Sequence, residues 1–149
     1  MIVVDTSVFI DLLFEYDSER THSSEELFST LEENALTIME PDLFKVELIG
    51  QVSRRVQKEK AANICEEIFS ELIFIDTSRI FEEALSIALE TGSRASDSFF
   101  IASARLQKAI LVSNDKYQIE SARKSGIEVY NLLRDQELVK ERLLEVASK

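Results

Sequence analysis

Ile2-Val3-Val4, Leu36-Thr37-Ile38-Met39, Leu72-Ile73-Phe74-Ile75 and Ile110-Leu111-Val112 are short apolar runs that break off abruptly at polar residues. They are too short for helices, and almost uninterrupted, as expected of strands buried on both faces. Ile127-Glu128-Val129-Tyr130 is a weaker fifth run. Longer stretches with apolar residues at helical spacing lie between them. Parallel strands need such crossover helices, which then cover the sheet. The expected fold is therefore α/β, a three-layer α/β/α sandwich around a central parallel sheet of four to five strands. Its 149 residues suit one domain, 1–149, with a sizeable core. Ligands on such sheets bind at the carboxyl ends of the strands, near a topological switch point.

The helices can be placed coarsely. Thr6 or Ser7 is expected to cap a short helix bearing Val8, Phe9, Ile10, Leu12 and Leu13. Polar residues 16–23 read as a loop, and Ser24 as the start of a helix with Leu27, Phe28 and Leu31 inward. Pro41 suits the first turn of a helix carrying Phe44, Leu48 and Val52. Further helices are expected over 59–72, over 78–91 with a stop at Gly92, over 93–107, over 116–125 with a stop at Gly126, and at the C-terminus. The helix containing Phe99, Phe100, Ile101, Ala102 and Ala104 should be buried on more than one side.

Net charge is −11, which argues against nonspecific coating of nucleic acid, because phosphates attract Lys and Arg. The charge is uneven. Residues 1–40 hold ten acids against one base, Arg20, and the remainder is close to balanced. No apolar run approaches the ~20 residues that cross a bilayer, so no membrane association is expected. The start of the chain meets Asp5 and Asp11 early and lacks a basic leader, unlike a signal peptide. The single Cys65 has no partner for a disulfide and sits on an amphipathic stretch. These features suggest a cytoplasmic protein.

Four acids stand where chemistry is expected. Asp5 ends the first strand and Asp115 follows the fourth. Glu47 lies in the second turn of the helix leaving the second strand, and Asp97 lies early in the most apolar helix. A carboxylate at that last place costs several kcal/mol unless it is paired or bound to a cation. Acids converging on one edge repel each other, and hard divalent cations relieve the repulsion. A metal held by carboxylates, with water positions open, suits phosphodiester hydrolysis without a protein nucleophile.

The blocks Val-Val-Asp-Thr-Ser-Val-Phe-Ile (3–10), Pro-Asp-Leu-Phe-Lys-Val-Glu-Leu (41–48), Ala-Ser-Asp-Ser-Phe-Phe-Ile-Ala-Ser-Ala (95–104) and Val-Ser-Asn-Asp-Lys (112–116) resemble those of the PIN-domain family, in order and spacing. The resemblance covers essentially the whole chain. It implies that Asp5, Glu47, Asp97 and Asp115 form a catalytic metal site for one or two Mg²⁺ or Mn²⁺ ions. It implies that Ser7 and Ser113 support the site. It further implies a ribonuclease, many such domains being VapC-type toxins with an antitoxin partner and many being homodimers. An RNA-processing nuclease outside any toxin pair and a silent interaction module are the alternatives. The chain departs from the family at Gln107-Lys108-Ala109, where Gly is frequent, and in the acidity of 14–26.

Other features carry less. Arg94 and Lys116 adjoin ligand positions and could meet a phosphate. Asp97 could instead pair with Arg94 or Arg105. Asp42 reads mainly as a helix-start residue, and Arg54, Arg55, Lys58 and Lys60 mainly as a solvated face. His22 reads as a surface residue with no nearby acid. Phe99-Phe100 reads as core. Phe9, Leu13 and Phe14 are candidates for an exposed partner face. A haloacid-dehalogenase-like phosphatase would need an acid at Ser7, and nucleotide-binding Rossmann or P-loop proteins would need glycines after the first strand.

Overall fold

The structure is a computed structural model and describes residues 1–149. Five strands and eight helices alternate: β1 (Ile2–Val4), α1 (Thr6–Leu13), α2 (Ser18–Glu33), β2 (Met39–Pro41), α3 (Leu43–Ser53), α4 (Lys58–Ser70), β3 (Ile73–Ile75), α5 (Thr77–Thr91), α6 (Ala95–Gln107), β4 (Ile110–Ser113), α7 (Lys116–Lys124), β5 (Val129–Asn131) and α8 (Gln136–Ala147). All strand pairings are parallel, in one ladder ordered β1-β4-β5 and another of β2 with β3. The ladders meet at a parallel bridge between Ile2 and Ile38. This is the expected α/β class, with the sheet split into a three-stranded and a two-stranded part.

The split has a local cause. Where the β1–β2 ladder would continue, the Glu40 side chain intervenes, and its Oε1 accepts the Val4 N–H at 2.7 Å. β1 and β4 are buried throughout. β1 thus has β4 on one side and β2 on the other, and chain order reverses across it. This is the switch-point geometry that opens a crevice at the strand ends.

Phe44 organises the core around α3. It is fully buried, and its ring centroid lies 4.9 Å from that of Phe9, 6.1 Å from Phe69, 6.3 Å from Phe74 and 6.4 Å from Phe100. Such aromatic pairs add about 0.5–1.5 kcal/mol each beyond their area burial. Phe44, Leu48 and Val52 form the inward stripe of α3, one residue every helical turn.

Several boundaries differ from expectation for identifiable reasons. α2 begins at Ser18, within the stretch read as a loop, because the Asp17 side chain caps it by accepting the N–H groups of Glu19 and Arg20. Its first turns pack through Thr21 and Ser24, small polar residues that leave no apolar periodicity. Thr6 and Ser7 are not caps: Asp5 holds the N-cap position without a side-chain cap bond. Pro41 ends β2, and α3 starts after it. Phe9 is buried, and Leu13 and Phe14 pack against the core, so these three do not form an exposed face. Exposed apolar residues include instead Val46 and Ile49 on α3 and Phe81, Leu85 and Leu89 on α5. Cys65 is buried as expected. No helix is long and apolar enough to cross a membrane.

At the departure noted between α6 and β4, Lys108 closes the helix in the left-handed conformation (φ 52°), its N–H bonded to the carbonyls of Ala104 and Arg105. That conformation costs an L-residue roughly 1–2 kcal/mol, whereas glycine adopts it freely. The Lys108 side chain is exposed, so little packing is lost by removing it. Lys108→Gly is therefore expected to stabilise the protein by about 1 kcal/mol, raising Tm by roughly 2–4 °C. A lowered Tm in calorimetry would contradict the strain assigned to this turn.

Candidate metal centre

The carboxyl ends of β1 and β4 deliver the first two acids. Asp5 follows β1 directly, and its N–H bonds the Val112 carbonyl of β4 at 2.9 Å. Its Oδ2 accepts from two hydroxyls, Ser7 at 2.7 Å and Ser113 at 3.0 Å. Both hydroxyls are themselves anchored, Ser7 accepting the Asn114 N–H at 3.2 Å and Ser113 the Asp115 N–H at 2.9 Å. Oδ1 of Asp5 is left without a protein partner. Ser7 comes from α1 and Ser113 from β4.

Asp115 caps α7, its Oδ1 accepting the N–H groups of Tyr117 and Gln118. Its other oxygen faces Arg94, whose Nη2 donates at 2.7 Å. The same guanidinium donates from Nε to Asp97 Oδ2 at 2.8 Å. Asp97 is buried in the first turn of α6, held there by the packing of Phe100 and Ile101 one turn on. Glu47 stands on the flank of the α3 core stripe, with Gln51 one turn beyond. Asp5, Glu47, Asp97 and Asp115 all line one open cleft of roughly 370 Å³, together with Ser7, Arg94 and Arg20. Lys116 does not line it, and its ammonium lies over the ring of Tyr117, 5.1 Å from the centroid.

The four predicted acids therefore share a cleft, but no three of them are already in metal-holding geometry. Arg94 explains this. It supplies the positive charge between Asp97 and Asp115 that a cation would otherwise supply. The donor set still fits a hard divalent ion: the acids offer only oxygen, one Asp5 oxygen is free, and the cleft admits water. Arg105, the other partner considered for Asp97, pairs with Glu83 and Glu90 instead.

Burial dominates the electrostatics of the cleft, with neighbouring acids adding to it. Burial, reinforced by Glu47 and Asp97, raises Asp5 to about 6 despite the bonds from Ser7 and Ser113. Burial also raises Asp97, with Arg94 offsetting part of the effect. Asp115 is less buried, and Arg94 with the two α7 N–H groups outweighs its burial, so its carboxyl is lowered.

Sequence reading missed three residues here. The first is Glu40, in β2. It is fully buried, its Oε2 has no partner, and burial holds its carboxyl well above the usual range, with Asp5 and Glu47 adding to the rise. An acid inside a strand buried on both faces was the available signal. Asp11 and Arg20 were also missed. Arg20 Nε donates to both Asp11 oxygens at 3.2 Å, and Asn114 Nδ2 adds a bond to Asp11 at 2.9 Å. Arg20 was conspicuous as the lone base among the first 40 residues. Of the other residues weighed, His22 is exposed with Glu26 one turn on at 3.4 Å, and Asp42 precedes α3 with Lys45 at 3.8 Å. Arg54, Lys58 and Lys60 are exposed, while Arg55 donates to the Tyr16 hydroxyl at 2.8 Å.

A raised carboxyl makes a signed prediction. Asp5 binds a proton more readily folded than unfolded, so its ionisation destabilises the metal-free protein. The cost is fully present above pH 6 and fades as pH falls towards the ordinary value of 3.8. Asp5→Asn keeps an oxygen acceptor for Ser7 and Ser113 and removes the charge. In the presence of a chelator it is expected to stabilise the fold at pH 7–8, by on the order of 3 kcal/mol, with the gain shrinking towards pH 4. Thermal melts across that range check it, and destabilisation by Asn at pH 7–8 would contradict the assigned strain.

Comparison with known proteins shows the family and the fold. The family model described as "PIN domain" matches residues 2–124. Among solved structures, a toxin–antitoxin complex from Klebsiella pneumoniae aligns with TM-score 0.62 and 17% identity, covering 89% of this chain and 98% of that one. VapBC2 from Rickettsia felis, bound to a DNA fragment from its promoter, aligns with TM-score 0.62 and 20% identity over 87% and 98%. PAE2754 from Pyrobaculum aerophilum aligns with TM-score 0.60 and 17% identity over 99% and 97%. No curated protein sequence matches the chain.

Proposed function

Because the chain belongs to the PIN-domain family, we propose that it is a Mg²⁺- or Mn²⁺-dependent endoribonuclease, with residues 1–149 as one nuclease domain. The observation that carries the proposal is the convergence of Asp5, Glu47, Asp97 and Asp115 on a single cleft at the strand ends. These four would hold one or two ions, which when bound supply the Lewis acidity that activates water and offsets charge on the phosphate. The remaining work falls to the chain's own side chains. Ser7 and Ser113 fix one Asp5 oxygen and turn the other towards the cleft. Arg94, half exposed beside Asp97 and Asp115, is placed to exchange a carboxylate for a substrate phosphate, a ligand whose geometry its planar fork matches.

The toxin role is the finer part of the proposal. Solved proteins of this fold include toxin–antitoxin complexes, which is the ground for proposing an antitoxin partner. The apolar residues exposed on α3 and α5, Val46 and Leu89 among them, offer surface for such a partner or for a homodimer.

Cleavage of a panel of structured and single-stranded RNAs in Mg²⁺ or Mn²⁺ tests the activity. The wild type is expected to cut, and Asp5→Asn and Asp97→Asn to lose at least about 100-fold, in line with losing an electrostatic stabiliser of the transition state. Equal cutting by wild type and both variants would place the activity elsewhere.

A further inference from the structure

A second hollow of roughly 540 Å³ adjoins the acidic cleft on the far side of Arg94. The two hollows share Arg94 and Asp97, so a ligand lying over Asp97 in the first continues directly into the second. One wall of the second hollow is Tyr117, in the first turn of α7 and 57% exposed. The Arg94 guanidinium lies over its ring at 5.3 Å from the centroid, and the Lys116 ammonium at 5.1 Å. Lys124 and Ser121 complete the polar lining, with Glu120 paired to Lys124 at 3.7 Å.

Tyr117 does not belong to the core, and its hydroxyl has no protein partner. Its backbone is nevertheless fixed relative to the site, because the Asp115 carboxylate accepts its N–H at 2.9 Å. The result is a planar aromatic face held two residues from a candidate ligand, with two cations against it. Single-stranded nucleic acid uses such a pairing of ring and cation: phosphates draw the positive charge to themselves and bases stack on the ring face that is open, and Tyr117 is more than half exposed. The Phe99-Phe100 pair cannot serve, since Phe100 is fully buried and Phe99 packs on Phe81.

We infer that Tyr117 is the stacking platform for an unpaired nucleobase adjoining the phosphate at the acidic cleft, with Arg94, which both hollows share, holding that nucleotide's backbone. The inference rests on the ribonuclease reading and assigns to Tyr117 the contact by which an unpaired base is told from a paired one. A base inside a duplex has both faces covered and cannot reach the ring without being unpaired.

The test is a fluorescence titration of the full chain, in Ca²⁺ to hold the cleft's charge, with a short single-stranded RNA containing 2-aminopurine and with its duplex. Wild type and Tyr117→Phe are expected to bind the single strand and change the 2-aminopurine emission. Tyr117→Ala is expected to bind it about tenfold more weakly, as loss of one stacked base implies, with the emission change lost and duplex affinity unaltered. The exposure of Tyr117 predicts an unchanged melting temperature for both variants. Equal single-strand affinity and emission in wild type and Tyr117→Ala would overturn the inference, as would an equal loss for single strand and duplex. Either result, in a wild type that still cleaves RNA, leaves the nuclease reading intact. A wild type that neither binds nor cleaves RNA overturns both.

Discussion

The burial of several carboxylates close together at the strand ends is the constraint around which the rest of this structure is arranged. Asp5 is buried between Ser7 and Ser113, with Glu47 and Asp97 both adding to its reluctance to ionise. Burying one unpaired carboxylate costs several kcal/mol. Holding several on one edge requires either protons or cations. The structure uses both: Asp5 and Glu40 hold protons more readily than usual, and Arg94 supplies a positive charge to Asp97 and Asp115.

The surrounding fold reads as the scaffold for that arrangement. Phe44 and its aromatic neighbours fix α3, which sets the flank carrying Glu47. The uninterrupted apolar packing of α6 fixes Asp97. Hydroxyl and amide bonds tie the two strand ends together, so that Ser113 serves Asp5 with its O–H and Asp115 with its oxygen. Arg94 sits at the junction of two hollows and is the element best placed to change partners. With Asp97 and Asp115 as its partners it offsets part of the cleft's negative charge, and with a phosphate as its partner it would leave those acids to a metal.

Much of this was legible in sequence, and the illegible parts share a cause. Asp5, Asp97 and Asp115 could be picked out because each is a charge set against an apolar background or a strand end, and all three line the cleft with Glu47. The fold class followed from short apolar runs separated by helical periodicity. What escaped was structure made by polar residues. The early turns of α2 pack through Thr21 and Ser24, Glu40 replaces a backbone partner inside the sheet, and Asp11 holds Arg20 across the cleft. None of these leaves a hydrophobic period. Tyr117 escaped because its significance lies in the two cations over its ring, and Arg94 is remote from it in sequence. The expected exposed face at Phe9, Leu13 and Phe14 failed for the converse reason: the apolar residues of a short helix do not show in sequence that Phe28 of α2 and Phe44 of α3 close on Phe9 and that Leu13 and Phe14 turn to the core.

The central claim is that these four carboxylates await a divalent cation. Calorimetric titration of the chelator-treated protein with Mn²⁺, near pH 6 and in buffers of differing ionisation enthalpy, tests it most directly. The account predicts saturable binding accompanied by proton release, since Asp5 must ionise to bind, and loss of that binding in Asp97→Asn. An absence of binding, or binding that survives in Asp97→Asn with no proton released by the wild type, would contradict it.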